Sequence, residues 1–390
     1  MISILIGRIY FMLSGGIVLL DSNMGLLVLT TDDSHQRFYA LDGLRGLAAL
    51  AVMLGHFTQF WGLNWFKNAG SAVDLFFVLS GLVIVHSYGQ KIIGRMKFRE
   101  FLFIRFLRLA PLNIAGILIS ACTLLVMNQA LAQNYKISVS ILLKAMVLGI
   151  GFIPYENPYS WPYGNYASAA GMFPLNLPAW SLFFEMLAYI ICFAYIAVTK
   201  KRPSVVFCLI CFSIFVVTTI YTQNVNPGWE SSHLYLGIAR VIGAFFAGAL
   251  ILKLDTTPTP FKSTLAIISF IAAFCLFAVG STHAVMINIF ILIPILIWSV
   301  RSLVITGLLK TTCIFLGFIS FPLYILHIPF VTLLLHQRDF IGVLPSNIRM
   351  WVVIFMTIVL ATLCGYFDLK LRHAIMSYVK IIKAKNSQEV

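Results

Sequence analysis

Charge is what this sequence has least of. Asp, Glu, Lys and Arg make up 10% of its 390 residues, against about 25% in a soluble domain. So few charges cannot cover a surface that faces water on all sides. Hydrophobic residues reach 60% and mean hydropathy is +0.95. The apolar runs are near 20 residues long rather than 10, which excludes a membrane barrel and leaves a helical membrane protein. Acids are scarcer than bases, 13 against 27, for a net charge of +14. In so apolar a chain that excess reads as basic cytoplasmic loops, not as a nucleic-acid surface. The seven cysteines all fall in apolar runs, so neither a disulfide framework nor a metal site is expected. Cys208 and Cys211 have a metal-like spacing, but no second His or Cys pair accompanies them. Internal repeats are not evident either.

What is present is a series of ten apolar runs, at 38–60, 72–90, 110–133, 180–199, 204–222, 234–253, 263–280, 284–305, 312–336 and 350–368. The basic stretch 91–108 and the "TKKRP" turn after residue 198 are placed in the cytoplasm. From 108 the chain must cross once before 180, so the short run 138–153 is expected to be a re-entrant or interfacial helix. Eighteen Lys and Arg then fall in inside segments and five outside. The expected fold is an all-α integral membrane bundle of about ten transmembrane helices with both termini cytoplasmic. Residues 37–370 would form the membrane domain and 371–390 a basic cytoplasmic tail. Residues 1–36 are apolar but broken by Arg8 and Asp21. They are expected to be interfacial, or to lie upstream of a start at Met24, and a cleaved signal peptide is not expected. The segment 154–179 is rich in Tyr, Trp, Pro, Gly and Asn. It suits a sugar face and equally an aromatic interfacial collar.

Ionisable groups inside the spans are the functional candidates, because each costs about 2.5–3.5 kcal/mol or more in the bilayer and must face a cavity or a partner. "RFYALDGLRGLAALAVMLGHF" at 37–57 carries Asp42, Arg45 and His56. Eleven residues separate Arg45 from His56, close to three full turns, so both share one face about 16 Å apart. Asp42 can pair with Arg45 one turn away. Asp74 and Glu185 fall near the outer ends of their spans, at a depth close to that of His56. Either carboxylate beside the imidazole would fix its tautomer and raise its basicity. Arg45, Arg99, Arg105 and Arg108 lie toward the inner face, Arg240 within a span, and His327 nearer mid-membrane. Taken singly, His56 could be a helix–helix hydrogen-bond partner, and Arg105 and Arg108 could be headgroup anchors. Gly55, Gly81 and Gly317 read most simply as points of close helix approach.

Together these residues form a pattern. The chain resembles the membrane-bound acyltransferase 3 family, which moves acyl groups, often acetyl, onto hydroxyls of sugars and other acceptors. Arg45, ten residues, then His56 fits the family's opening mark. "VDLFFVLSGLVI" resembles its second-span signature and carries over Asp74 and Ser80. "FIRFLRLAPL" is similar to its basic motif, with Arg105, Arg108 and Pro111. "WSLFFEMLAYI" resembles its Trp-Ser-Leu-x-x-Glu segment, with Trp180, Ser181 and Glu185. "SFPLYILHIP" resembles its late motif, with Ser320, Tyr324, His327 and Pro329. Five motifs in order over residues 37–330 make the match specific. The chain departs from the pattern at Met186, where a second acid is common, and at "CGYFDLKLRH", which has Asp368 and no Pro.

The resemblance implies transfer from cytosolic acyl-CoA, acetyl-CoA first among them, to a hydroxyl of an extracytoplasmic carbohydrate. O-antigen, exopolysaccharide and a lipid-linked sugar all fit that description. Arg45, Arg105 and Arg108 would hold the donor phosphates, His56 would be the general base, and Asp74 or Glu185 would orient it. Acyl-CoA would be a co-substrate, with no permanently bound cofactor, and the setting a bacterial inner membrane. Oligomeric state stays open. Two other readings remain: a proton-coupled transporter or exporter of a polysaccharide precursor, which also needs buried charges, and a non-catalytic scaffold.

Overall fold

A computed structural model describes residues 38–63, 65–130, 138–156, 171–335 and 344–386. The expectations for 1–36 and for the centre of the aromatic segment, 157–170, lie outside the described residues. The fold is an all-α bundle. In the apolar phase a backbone must satisfy its own polar groups, and a helix does so within one segment. The helices are α1 (Tyr39–Phe60), α2 (Ser71–Ile93), α3 (Phe98–Ala130), α4 (Val139–Ile150), α5 (Ala179–Thr199) and α6 (Val205–Thr222). They continue with α7 (Leu234–Ile251), α8 (Pro260–Ala278), α9 (Thr282–Arg301), α10 (Gly307–Leu335) and α11 (Ser346–Asn386). Ten of these are long and apolar enough to cross a membrane. At 12 residues, α4 spans about 18 Å and is too short. It packs Leu142 and Ala145 on Ile117, Ala121 and Leu124 of α3.

Local chemistry explains several boundaries. Ser204 accepts a hydrogen bond from the Phe207 amide and caps α6. Thr259 does the same for α8 with Pro260 at its first position, where a missing N–H costs nothing. Within α9, Asn288–Leu292 is a π-turn. Its Asn288 is buried and donates to the Ala273 carbonyl of α8. The third span differs from expectation. It begins at Phe98, not 110, so the basic stretch is itself helical. Ending the run at its charges hid this, because Arg105 and Arg108 turn into a cavity instead of leaving the helix for water. The last helix runs unbroken past 370, at 41 residues or about 61 Å, roughly twice the hydrocarbon thickness.

Glycines set the two tightest crossings. On α1, a Cβ at Gly46 would lie 2.5 Å from the Leu316 carbonyl oxygen of α10, and one at Gly317 would lie 2.7 Å from Asp42 Cβ. On the other side, α2 and α7 meet backbone to backbone at Gly81 and Gly248. The small residues allow close approach where no hydrophobic effect drives helices together. Gly55 faces the 66–69 turn instead of another helix. By contrast α6 and α8 leave Val206, Ile210, Val217, Ile267 and Ile271 exposed, as suits faces turned to lipid.

Candidate active site

A cavity of about 590 Å³ is walled by α1, α2, α3, α5 and α10. Its basic end combines Arg45 of α1, Lys91 of α2, and Arg105 and Arg108 of α3. Arg99, six residues before Arg105 on α3, is exposed and not part of the wall. Phe103 and Phe106 point to the opposite face of α3, so the i,i+3 spacing of Arg105 and Arg108 turns both guanidiniums one way.

Arg45 is held in place. Its Nε donates to Ser320 Oγ at 2.9 Å, one terminal nitrogen donates to the Gly317 carbonyl at 3.0 Å, and Asp42 pairs with it at 3.3 Å. Gly317 allows this, since its missing Cβ leaves room for Asp42. Arg105 is nearly buried, lies 4.8 Å over the Tyr189 ring, and donates to the Tyr189 hydroxyl at 3.1 Å. Arg108 lies within electrostatic reach of three further guanidiniums, those of Arg45, Arg105 and Arg372. Arg372 comes from α11 and is anchored on buried Asp368 at 2.7 Å. So concentrated a positive charge suits an anion.

Deeper along the cavity stands a polar cluster. Ser80 donates to Glu185 Oε1 at 2.7 Å and meets the Tyr189 hydroxyl at 3.1 Å, and Tyr189 also donates to Glu185. Beyond it the buried Tyr324 hydroxyl donates to Ser181 at 2.8 Å. Tyr324 meets Phe76 edge to face with centroids 5.2 Å apart, and both rings line the cavity.

His327 lies one turn further on α10, beside His56 of α1. His56 Nδ1 is 2.8 Å from His327 Nε2, and the Tyr324 and His327 ring centroids are 6.2 Å apart. Arg45 and His56 therefore both turn to α10, as their shared face requires. The expectation of a carboxylate beside His56 is corrected. Glu185 is engaged by Ser80 and Tyr189 on the cavity wall. Asp74 is bound on both oxygens by Arg240, at 2.8 and 2.7 Å. That guanidinium also donates to Asn226 Oδ1, the Pro227 carbonyl and the Gly70 carbonyl, so all five of its N–H groups are used. Trp180 covers it with its ring 5.5 Å away. Asp74 and Arg240 are thus a fully buried strut between α2, α7 and the 224–228 turn, and neither belongs to a path through the bundle.

Sequence reasoning passed over Tyr189, Arg372 and Asn226. Tyr189 could have been found as the i+4 neighbour of Glu185, and Arg372 as the i+4 neighbour of Asp368. Asn226 sits in a loop with no local signal. Among the described residues no group of three His, Cys, Asp or Glu could hold a metal ion.

A family model described as an acyltransferase domain matches residues 38–367. "Protein 2 in picA locus" of Rhizobium radiobacter is 35% identical over 159 residues, covering 39% of this chain and 78% of that protein. "Putative peptidoglycan O-acetyltransferase YrhL" of Bacillus subtilis (strain 168) is 26% identical over 261 residues, covering 62% of this chain. The match spans 38% of that Bacillus protein. No solved structure matches the chain.

Proposed function

The chain belongs to the acyltransferase domain family, and from that premise we propose that it takes an acyl group, acetyl in the first instance, from cytosolic acyl-CoA and places it on a hydroxyl of a cell-envelope carbohydrate. The observation that carries this reading is the cavity itself. Three guanidiniums and the Lys91 ammonium stand at one end, with Arg372 within electrostatic reach of Arg108, and an imidazole pair stands one turn beyond the other end. Acyl-CoA is a polyanion on a long, narrow arm that ends in a reactive thioester, and its shape and charge match that order of groups. The name of the Bacillus relative supports an O-acetyl product on a cell-wall polymer.

Arg45, Arg105, Arg108 and Arg372 would bind the donor phosphates. Ser80 and Glu185 offer hydrogen-bond partners to the amides of the arm. At the far end the acceptor O–H attacks the thioester carbonyl carbon while His56 takes its proton. The C–S bond breaks as the tetrahedral intermediate collapses. The departing thiolate then takes the proton from His56 and leaves as the free thiol. The thioester is already an activated acyl group, so the residues present would supply the remaining needs, which are positioning and the relay of one proton from acceptor to thiolate through His56. A transport path would need its charges open to the passing solute, and the closed strut of Asp74 with Arg240 removes two of them.

The test is release of free CoA thiol from acetyl-CoA in membranes, with crude envelope glycans supplied. Wild type is compared with His56→Ala and Arg45→Ala at matched expression. Loss of release in both variants supports the assignment. Equal release from His56→Ala and wild type refutes His56 as the base.

A further inference from the structure

We infer that His327 is the positioning residue of His56: it fixes the His56 tautomer so that Nε2 carries the lone pair and Nδ1 carries the proton. This rests on the reading of His56 as the base, and it assigns to a neutral imidazole the part expected of a carboxylate.

The argument is one of donors and acceptors. His327 Nδ1 lies 2.7 Å from the Tyr324 carbonyl oxygen and 3.2 Å from that of Leu323. Carbonyl oxygens only accept, so this nitrogen bears the hydrogen. A neutral imidazole has one N–H, which leaves His327 Nε2 as an acceptor. The atom 2.8 Å from it is His56 Nδ1, which must then donate. The two ring planes are 9° apart with centroids 5.0 Å apart, which suits rings joined edge to edge by an N–H···N bond of that length. The reverse arrangement needs His327 to be an imidazolium. At 0% exposure that charge would need a compensating anion, and no carboxylate is among its described hydrogen-bond partners.

The consequence is mechanistic. When His56 gains a proton at Nε2, its bond to His327 is unchanged, so the ring stays aimed. A neutral partner adds no negative charge, so the imidazolium is not over-stabilised and returns its proton readily. Among groups that neighbouring helices bring to this pair, Asp74 of α2 is taken by Arg240 and Tyr324 of α10 donates to Ser181. From the other helices packed on α1, Arg301 of α9 donates to the Ile251 carbonyl and Arg349 of α11 to that of Leu344. On α1 itself the nearest charged groups toward the basic end are Arg45 and Asp42, paired with each other.

The test uses the full-length protein in detergent and two readouts. Diethyl pyrocarbonate labels an imidazole nitrogen that has a free lone pair, and mass spectrometry follows the label on His56 against pH, with exposed His373 as control. His327→Glu supplies the missing negative charge and is expected to raise the midpoint of His56 labelling by about 1–3 pH units. His327→Gln, whose amide oxygen can still accept from Nδ1, is expected to leave the midpoint unchanged and transfer within about tenfold. His327→Leu is expected to lower kcat by about 10²-fold or more with the donor KM unchanged. An unmoved midpoint in His327→Glu overturns the assignment, as does wild-type kcat in His327→Leu, or a His56 that never labels while His373 does. Labelling reports on the pair even if no transfer is found. Transfer that survives His56→Ala would refute the base reading while labelling still judged the pairing.

Discussion

The strut between Asp74 and Arg240 makes the most discriminating prediction, because a catalytic acid and a structural one fail differently. Arg240 is 0% exposed and spends all five N–H groups, two of them on Asp74 at 2.7 and 2.8 Å. Replacing Asp74 with Leu leaves three neutral acceptors and an uncompensated guanidinium. Breaking a buried pair from one side costs about 3–5 kcal/mol, or about two to four decades in the folding equilibrium. That is a large share of a stability of about 5–15 kcal/mol. Arg240→Met should cost a similar amount by stranding the carboxylate. The double variant, apolar on both sides, should recover most of the loss. The measurement is the thermal midpoint of monodisperse protein in mild detergent for the four proteins, with acyl transfer assayed on each. Both singles should melt well below wild type, and the double variant should return toward it with transfer retained. If Asp74→Leu keeps the wild-type midpoint and loses transfer, the carboxylate acts in the chemistry and the strut argument fails.

Three further outcomes follow from other parts of the bundle. Arg372→Ala removes one of the four clustered guanidiniums, so the donor KM should rise about tenfold with kcat unchanged, and an unchanged KM would place Arg372 outside the anion site. Gly81→Ala would set a methyl 1.7 Å from the Phe245 carbonyl oxygen, forcing α2 off α7 at a cost of about 1–3 kcal/mol or more; wild-type yield and thermal midpoint would show that the crossing is looser. In the loop before α8, the Thr257 hydroxyl and then the Lys262 ammonium hold the Asp255 carboxylate well below the usual range. Its native pKa is depressed, so its stabilisation is complete above the unfolded value of about 3.9 and is lost as pH falls toward the native one. Asp255→Asn should therefore flatten the acid limb of a stability–pH curve below about pH 4, and an unaltered limb would refute that role.

The limits of the sequence reading have one physical origin. Hydropathy locates spans because the bilayer imposes a length on them, so eight of the ten expected runs match helices to within about five residues, while the third begins at Phe98 instead of 110 and the last runs on past 368 to Asn386. Helical rotation places residues on a face, so Arg45 and His56 were legible as one line, and both do bond to α10. Position along a span does not give direction around the helix axis. Asp74 and Glu185 both fall in the first two turns of their helices, yet one turns to α7 and the other to the cavity, level with Ser80. Which neighbour a face meets is decided by packing, and here packing is set by glycines such as Gly46, Gly81 and Gly317, whose partners lie hundreds of residues away. The same holds for His327. Its position one turn past Tyr324 could be read along the chain, but the bond to His56 arises only where α1 and α10 meet. The sequence reading set a carboxylate beside His56 and the fold sets His327 there, since a pattern along one helix marks a candidate residue while its partner comes from a distant helix.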